Sequence, residues 1–295
     1  MKSQLRIAVA QYEIECLPGW EAFEDKMLRT VERAKADNAD VLAISEYAGM
    51  EIASWISGSL RQQFEYIQSR LPDYLALLSS LSSQYQLYIQ PGTLPVSGTG
   101  QRYRNRAYFF APDGKTGYQD KIFLTPFEQR TQLLQGGTEL CLFDTAFGKI
   151  GIAICYDCEF PILSAQLVHA GANLLLTPSC TEKFSGLTRV TISSRARAIE
   201  NQCYVAQSCL IGKANWCDLI DINTGQSGIY CPADSGFPEQ GILAQAQLNT
   251  PMMITADLSW DKLTFVRNQG EMRNFHDMQP NMDPILSSVK MVALL

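Results

Sequence analysis

Short apolar runs alternate along the chain with stretches in which apolar residues recur every three or four positions, the pattern of a layered α/β fold. Residues 5–11 read as a strand. Over residues 20–38, Phe23, Met27, Leu28, Val31 and Ala34 share one helical face, and Val41, Leu42, Ala43 and Ile44 then form a buried strand ending at Ser45 and Glu46. A second helix is predicted over residues 60–84, interrupted or kinked near Pro72, because proline removes a hydrogen-bond donor and crowds the preceding turn. Strands follow at residues 87–94, 107–111, 140–143 and 149–155. After a turn over residues 156–160, Pro161 opens a helix that Gly171 closes, and residues 174–176 are a strand. Residues 187–201 read as a helix, with strands at 204–208 and 252–258. Residues 259–295 have weak periodicity and read as a C-terminal tail, packing on the same domain or on a partner subunit; residues 1–258 form one domain.

Composition narrows the classes of function. With 295 residues, 46% of them hydrophobic and 18% charged, the chain can bury about 75% of its unfolded surface in one core. Net charge is −6, from 24 Lys and Arg against 30 Asp and Glu, so the basic footprint of a nucleic-acid binder is missing. Nine cysteines, an odd number spread through apolar segments, point to reduced thiols and a cytoplasmic location. The run at residues 7–11 is too short for a signal sequence, and no segment reaches the ~20 apolar residues of a membrane span. Only two histidines are present, His169 and His276, which removes multi-histidine zinc sites and HExxH helices.

Scarce histidine means that a nucleophile here needs another base. Cys155 ends a predicted strand and precedes a turn and helix whose dipole would favour a thiolate. A partly desolvated glutamate can act as base, and Glu46 sits at another strand end. Lys121 lies in an otherwise apolar stretch, residues 121–127, that ends in Glu128, a cation for an oxyanion with its own carboxylate partner. Each has an ordinary reading: a buried thiol, a surface carboxylate, a loop ion pair. Cys155 and Cys158 also spell Cys-x-x-Cys, but no second such pair completes a zinc site. Arg197 and Glu200 are spaced for an intrahelical ion pair, and Ser-x-x-Lys occurs at both Ser259 and Ser287. Glycine-rich phosphate loops and Gly-x-Ser-x-Gly elbows are absent.

The segment from Gly151 to Pro161, containing Ile154-Cys155-Tyr156-Asp157, resembles the nucleophile segment of the nitrilase, or carbon-nitrogen hydrolase, superfamily. Supporting segments follow in that family's order: residues 7–11, Ser45-Glu46, Asn105, Asp113-Gly114, Lys121 with 124–128, 171–173 and 195–201. Their ordered co-occurrence outweighs the ordinary readings. Serine rather than proline precedes Glu46, the second glutamate varies between branches, and Cys158 is unusual.

The resemblance implies a four-layer α-β-β-α sandwich that pairs into a homodimer or higher homo-oligomer. It further implies Glu46 as general base, Lys121 as oxyanion stabiliser, Cys155 as nucleophile, Glu128 as a supporting glutamate and the Tyr156 N–H as the second oxyanion donor. The implied reaction is hydrolysis of a small linear amide through a cysteine thioester, with no cofactor and no metal; nitrile hydrolysis by the same residues and a catalytically silent scaffold are the alternatives. Trp55, Tyr103, Phe184, Trp216 and Tyr230 are candidate pocket liners.

Overall fold

The computed structural model describes residues 3–278. The chain begins with β1 (Gln4–Glu13), α1 (Trp20–Ala36) and β2 (Val41–Ile44), followed by α2 (Leu60–Tyr85). Four strands come next, β3 (Tyr88–Pro91), β4 (Thr93–Ser97), β5 (Tyr103–Phe110) and β6 (Thr116–Asp120), and then the short helix α3 (Pro126–Arg130). The second half runs β7 (Leu142–Thr145), β8 (Gly148–Ile152), α4 (Pro161–His169), β9 (Ala172–Ser179), α5 (Phe184–Glu200) and β10 (Tyr204–Lys213). It ends with β11 (Ile222–Asn223), β12 (Gly228–Tyr230), β13 (Ile242–Gln245), β14 (Met252–Ser259), α6 (Trp260–Gln269) and α7 (Asn274–Asp277).

Alternation along the strands builds four layers. Leu5, Ile7 and Val9 of β1, with Val41 and Ala43 of β2, face Ile150 and Ile152 of β8, Leu174 and Leu176 of β9 and Tyr204 and Ala206 of β10 in one apolar cluster between two sheets. The intervening residues of β1 and β2, such as Ala8, Ala10, Leu42 and Ile44, pack outward on Phe23, Met27 and Val31 of α1 and Phe64, Ile67 and Tyr74 of α2. On the far side, Leu175 of β9 and Val205 of β10 pack on Leu167 and Val168 of α4 and Ala198 of α5. The sandwich is therefore α-β-β-α. Its sheets are continuous through one short parallel join, where Tyr12 of β1 pairs with Leu210 of β10.

Three features depart from the hydrophobic pattern. Helix α2 runs unbroken past Pro72, so the predicted interruption does not occur; its start is secured by a Ser59–Gln62 capping box. Strand β6 and the short strands β11 to β13 carry little alternation and lie outside the predicted strands. Residues 87–94 split into β3 and β4 at Gly92, whose φ of 85° suits glycine and whose missing Cβ would lie 2.3 Å from the Ser45 carbonyl oxygen.

The stretch after residue 258 begins with α6, which buries Trp260, Leu263 and Val266. Trp260 lies edge-on to Tyr204 at 5.7 Å, tying α6 to β10. Ser259 Oγ accepts the Lys262 N–H at 3.3 Å, so the first Ser-x-x-Lys is a helix cap; the second, at Ser287, lies outside the described residues. Among the described residues, no helix is long and apolar enough to cross a membrane.

Because Leu263 is buried in the inter-sheet cluster, Leu263→Ala is expected to lower the unfolding free energy by about 2–5 kcal/mol. The shift of the urea midpoint at unchanged m checks this, and an unshifted midpoint would make α6 an appendage.

Candidate active site

The candidate residues converge where several strands end. Glu46 lies just beyond β2, Lys121 directly after β6, and Glu128 in α3. Cys155 opens the tight turn Cys155–Glu159 after β8. Lys121 Nζ is 2.7 Å from Glu46 Oε1 and 2.8 and 3.0 Å from the two Glu128 oxygens. All three side chains are buried. Local sequence fixes Glu128: it is the N3 residue of a capping box, with Thr125 N–H donating to its Oε2 at 2.8 Å while its own N–H donates to Thr125 Oγ1 at 3.2 Å.

Three further residues complete the polar cluster, none of them with a role implied by the motifs. Asn105 on β5 donates its Nδ2 to Glu46 Oε1 at 2.9 Å and to Glu128 Oε1 at 3.3 Å. Tyr47 donates its hydroxyl to Glu128 Oε1 at 2.5 Å. The Cys180 N–H, just past β9, donates to Glu46 Oε2 at 2.9 Å, and the Cys180 carbonyl accepts from the Cys155 thiol at 3.5 Å. The main chain of one residue thus touches both Glu46 and Cys155. Asn105 stands among the motif segments just ahead of the strand predicted at 107–111, a signal that could have placed it here; the strand starts earlier than predicted, so Asn105 lies within β5.

Backbone strain marks the same spot. Cys155 has φ 48° and Tyr47 φ 61°, both in the left-handed region that non-glycine residues seldom adopt, at a cost of about 1–3 kcal/mol each. The Tyr156 N–H follows Cys155 in the first turn, where main-chain donors lack intrahelical acceptors.

Burial and charge set the protonation states. Burial pushes the Glu46 carboxyl up to about 6; Lys121 opposes this, and Glu128 adds to it. Glu128 is also penalised by burial, but Lys121, Tyr47 and the Thr125 N–H outweigh it and hold the carboxyl below its ordinary value. Burial works against the Lys121 ammonium too, yet Glu128 and Glu46 together raise its pKa well above normal. Burial and the charge of Glu46 push the Cys155 thiol well up. This corrects the expectation that a helix dipole favours a thiolate, for the short turn after Cys155 is outweighed by desolvation.

A cavity of about 620 Å³ opens over this cluster, lined by Glu46, Lys121, Glu128, Cys155 and Tyr156 at its base. Phe127, Arg130, Arg189, Leu219 and Ile222 contribute to its walls. None of the five aromatic candidates lines it. Tyr103 and Tyr230 are core residues, Trp55 and Trp216 pack against the α1–α2 cluster, and Phe184 is exposed at the start of α5. Cys158 faces α5 instead, with its sulfur 3.8 Å from the Val190 carbonyl oxygen and Ser194 Oγ. Arg197 pairs with Glu200 within α5, as the spacing predicts.

The carbon-nitrogen hydrolase family model matches residues 6–268, from β1 into α6, and the chain belongs to that family. The probable hydrolase YhcX of Bacillus subtilis (strain 168) is 34% identical over 276 residues, covering 92% of this chain and 53% of that protein. Omega-amidase NIT2-B of Xenopus laevis is 31% identical over 199 residues, covering 62% of this chain and 70% of that one. The chain spans little more than half the length of YhcX. Among solved structures, the carbon-nitrogen hydrolase of Helicobacter pylori G27 superposes with a TM-score of 0.78 at 18% identity, covering 95% of this chain and 96% of that one. The C. elegans NitFhit protein gives 0.76 at 23% identity, covering 98% of this chain and 65% of that one. These likenesses establish the nitrilase-type fold.

Lys121 neutralises two buried carboxylates, so Lys121→Met is expected to cost about 3–5 kcal/mol at pH 8. Without the cation both folded-state carboxyl pKa values rise, so the penalty exists above those values and shrinks as pH falls and a proton is taken up. Chemical unfolding at pH 8 and pH 5 checks this, and an equal penalty at both would contradict it.

Proposed function

We propose that the protein hydrolyses a small linear amide through a thioester on Cys155, releasing ammonia or an amine and a carboxylic acid. The observation that carries this reading is the buried Glu46–Lys121–Glu128 cluster beside a strained cysteine at the base of one cavity. Family membership supports carbon-nitrogen bond hydrolysis, and relatives named omega-amidase support an amide rather than a nitrile.

In the proposed sequence of steps these groups act in turn. Glu46 accepts the Cys155 proton as the sulfur attacks the amide carbon, and the carbonyl electron pair moves onto oxygen. Lys121 Nζ and the Tyr156 N–H hold that oxyanion. Glu46 then returns the proton to the nitrogen, the carbon-nitrogen bond breaks and the amine leaves. A water that gives its proton to Glu46 attacks the thioester, and the sulfur departs with that proton. Glu128 keeps Lys121 charged and in place.

The test is a panel of amides and nitriles assayed for ammonia, with Cys155→Ser and Glu46→Gln beside the wild type. Amides are expected to turn over, Cys155→Ser to be inactive, and Glu46→Gln to lose roughly 10²-fold to 10⁴-fold in kcat. With Glu46 near 6, kcat/KM should rise with pH through about 6 as the base ionises, the apparent value belonging to the coupled cluster. Turnover of nitriles alone would transfer the reading to a nitrilase; no turnover, with Cys155 inert to iodoacetamide, would leave a silent scaffold.

A homodimer formed across the α4–α5 face belongs to the same reading. Ile162, Ile192 and Ile199 are exposed there, and Ile192 and Ile199, seven residues apart, share one stripe of α5. Light scattering is expected to give twice the chain mass, and Ile192→Glu with Ile199→Glu to give the monomer; a wild-type monomer would refute it. All nine cysteines are unpaired, which fits a reducing compartment such as the cytoplasm.

A further inference from the structure

Asp157 is buried, and the mechanism above leaves it without a part. Both of its oxygens are committed to consecutive main-chain donors on another segment: Oδ1 accepts the Phe123 N–H at 2.8 Å and Oδ2 the Ile122 N–H at 3.0 Å. Its own main chain belongs to the nucleophile turn, since the Asp157 N–H donates to the Ile154 carbonyl at 2.9 Å and its carbonyl accepts the Phe160 N–H at 3.2 Å. Burial pushes the carboxyl up to about 6, opposed first by those two N–H donors, so above that pH both oxygens are charged acceptors.

The clamp has a particular placement in sequence. One end, Ile122, directly follows Lys121; the other, Asp157, directly follows Tyr156. These two neighbours are the proposed oxyanion donors. They come from segments that share no strand pairing at this point, Lys121 leaving β6 in one sheet and Tyr156 following β8 in the other. The Phe123 and Phe160 rings, 4.2 Å apart, close the outer side of the same junction.

We propose that Asp157 is a positioning residue that sets the separation between the Lys121 ammonium and the Tyr156 N–H, and so the fit of the oxyanion site. The proposal rests on the amide-hydrolase reading. A carboxylate suits the task because it can accept from two adjacent N–H groups at once, whereas an asparagine must turn its NH₂ toward one of them.

The test separates oxyanion stabilisation from thiol reactivity in Asp157→Asn. Iodoacetamide is attacked at its CH₂ carbon: a sulfur-carbon bond forms, iodide leaves and the thiol proton passes to Glu46, with no oxyanion. Displacing one donor should therefore lower kcat on the best amide by roughly 10²-fold. KM and the rate of Cys155 alkylation, followed by mass spectrometry of the Cys155 peptide, should stay near wild type. A folded variant with wild-type kcat overturns the proposal, as does a parallel fall in turnover and alkylation, which would mark a purely structural residue. Should Asp157→Asn fail to fold, Asp157→Ser is read by the same rule, and failure of both assigns Asp157 to folding alone and overturns it. A wild-type protein inactive on every amide removes the hydrolase reading and this inference with it.

Discussion

Burying Lys121 between Glu46 and Glu128 is the constraint on which the rest of the site depends. A lone buried ion costs several kcal/mol even after relaxation, and a buried pair repays this only with close geometry and satisfied hydrogen bonds. Here the ammonium is within 3.0 Å of both carboxylates, and Asn105, Tyr47, Thr125 and Cys180 supply the remaining donors. These partners arrive from β5, the turn after β2, the cap of α3 and the end of β9. Two full negative charges against one positive leave the cluster short of a cation. Burial raises Glu46 and the charge of Glu128 adds to it, whereas Glu128 keeps the better donors, so of the two carboxyls Glu46 is the one raised toward neutrality.

Strain is tolerated in this region because the sheets over-determine it. Cys155 and Tyr47 sit in left-handed conformations, each just beyond a strand paired in parallel with its neighbour, β8 with β9 and β2 with β3. Relaxing either backbone would require breaking those ladders or moving an ion out of the cluster. Gly92 is part of the same packing, since only a residue without Cβ allows β3 to lead past the Ser45 carbonyl.

The sequence pattern was informative where chemistry is local. Period-two and helical spacing located the principal strands and helices, and Glu46 and Cys155 stood out because apolar runs stop near them. Thr125-Pro126-Phe127-Glu128 even spells its own capping box. Other contributions depend on tertiary pairing: Tyr47, Asn105 and Cys180 meet only once both sheets have formed. Strand β6, Thr-Gly-Tyr-Gln-Asp, has too little apolar alternation to announce itself and is held by pairing with β5. The aromatic side chains expected at the pocket mostly went into or against the core, because burying a large ring releases more free energy than leaving it at a wet cavity wall. Much of the wall comes instead from residues near 182–189 and 219–223, a mixture of charged, small and aliphatic side chains with no distinguishing pattern.

A neutral thiol beside a weakly acidic glutamate has a consequence for the proposed reaction. A resting thiolate at Cys155 would put a third negative charge near a single ammonium, and burial with Glu46 opposes that state. Transfer of the proton to Glu46 during attack avoids the excess, because the carboxyl becomes neutral as charge passes through sulfur to the substrate oxygen. The net charge of the buried cluster is unchanged throughout. What moves is its location, from the Glu46 side of Lys121 toward the oxyanion position, so the same ammonium that balances the resting carboxylate can balance the tetrahedral intermediate. Fixed, already oriented charges need little reorganisation for such a transfer, which is the condition under which electrostatic stabilisation is most effective.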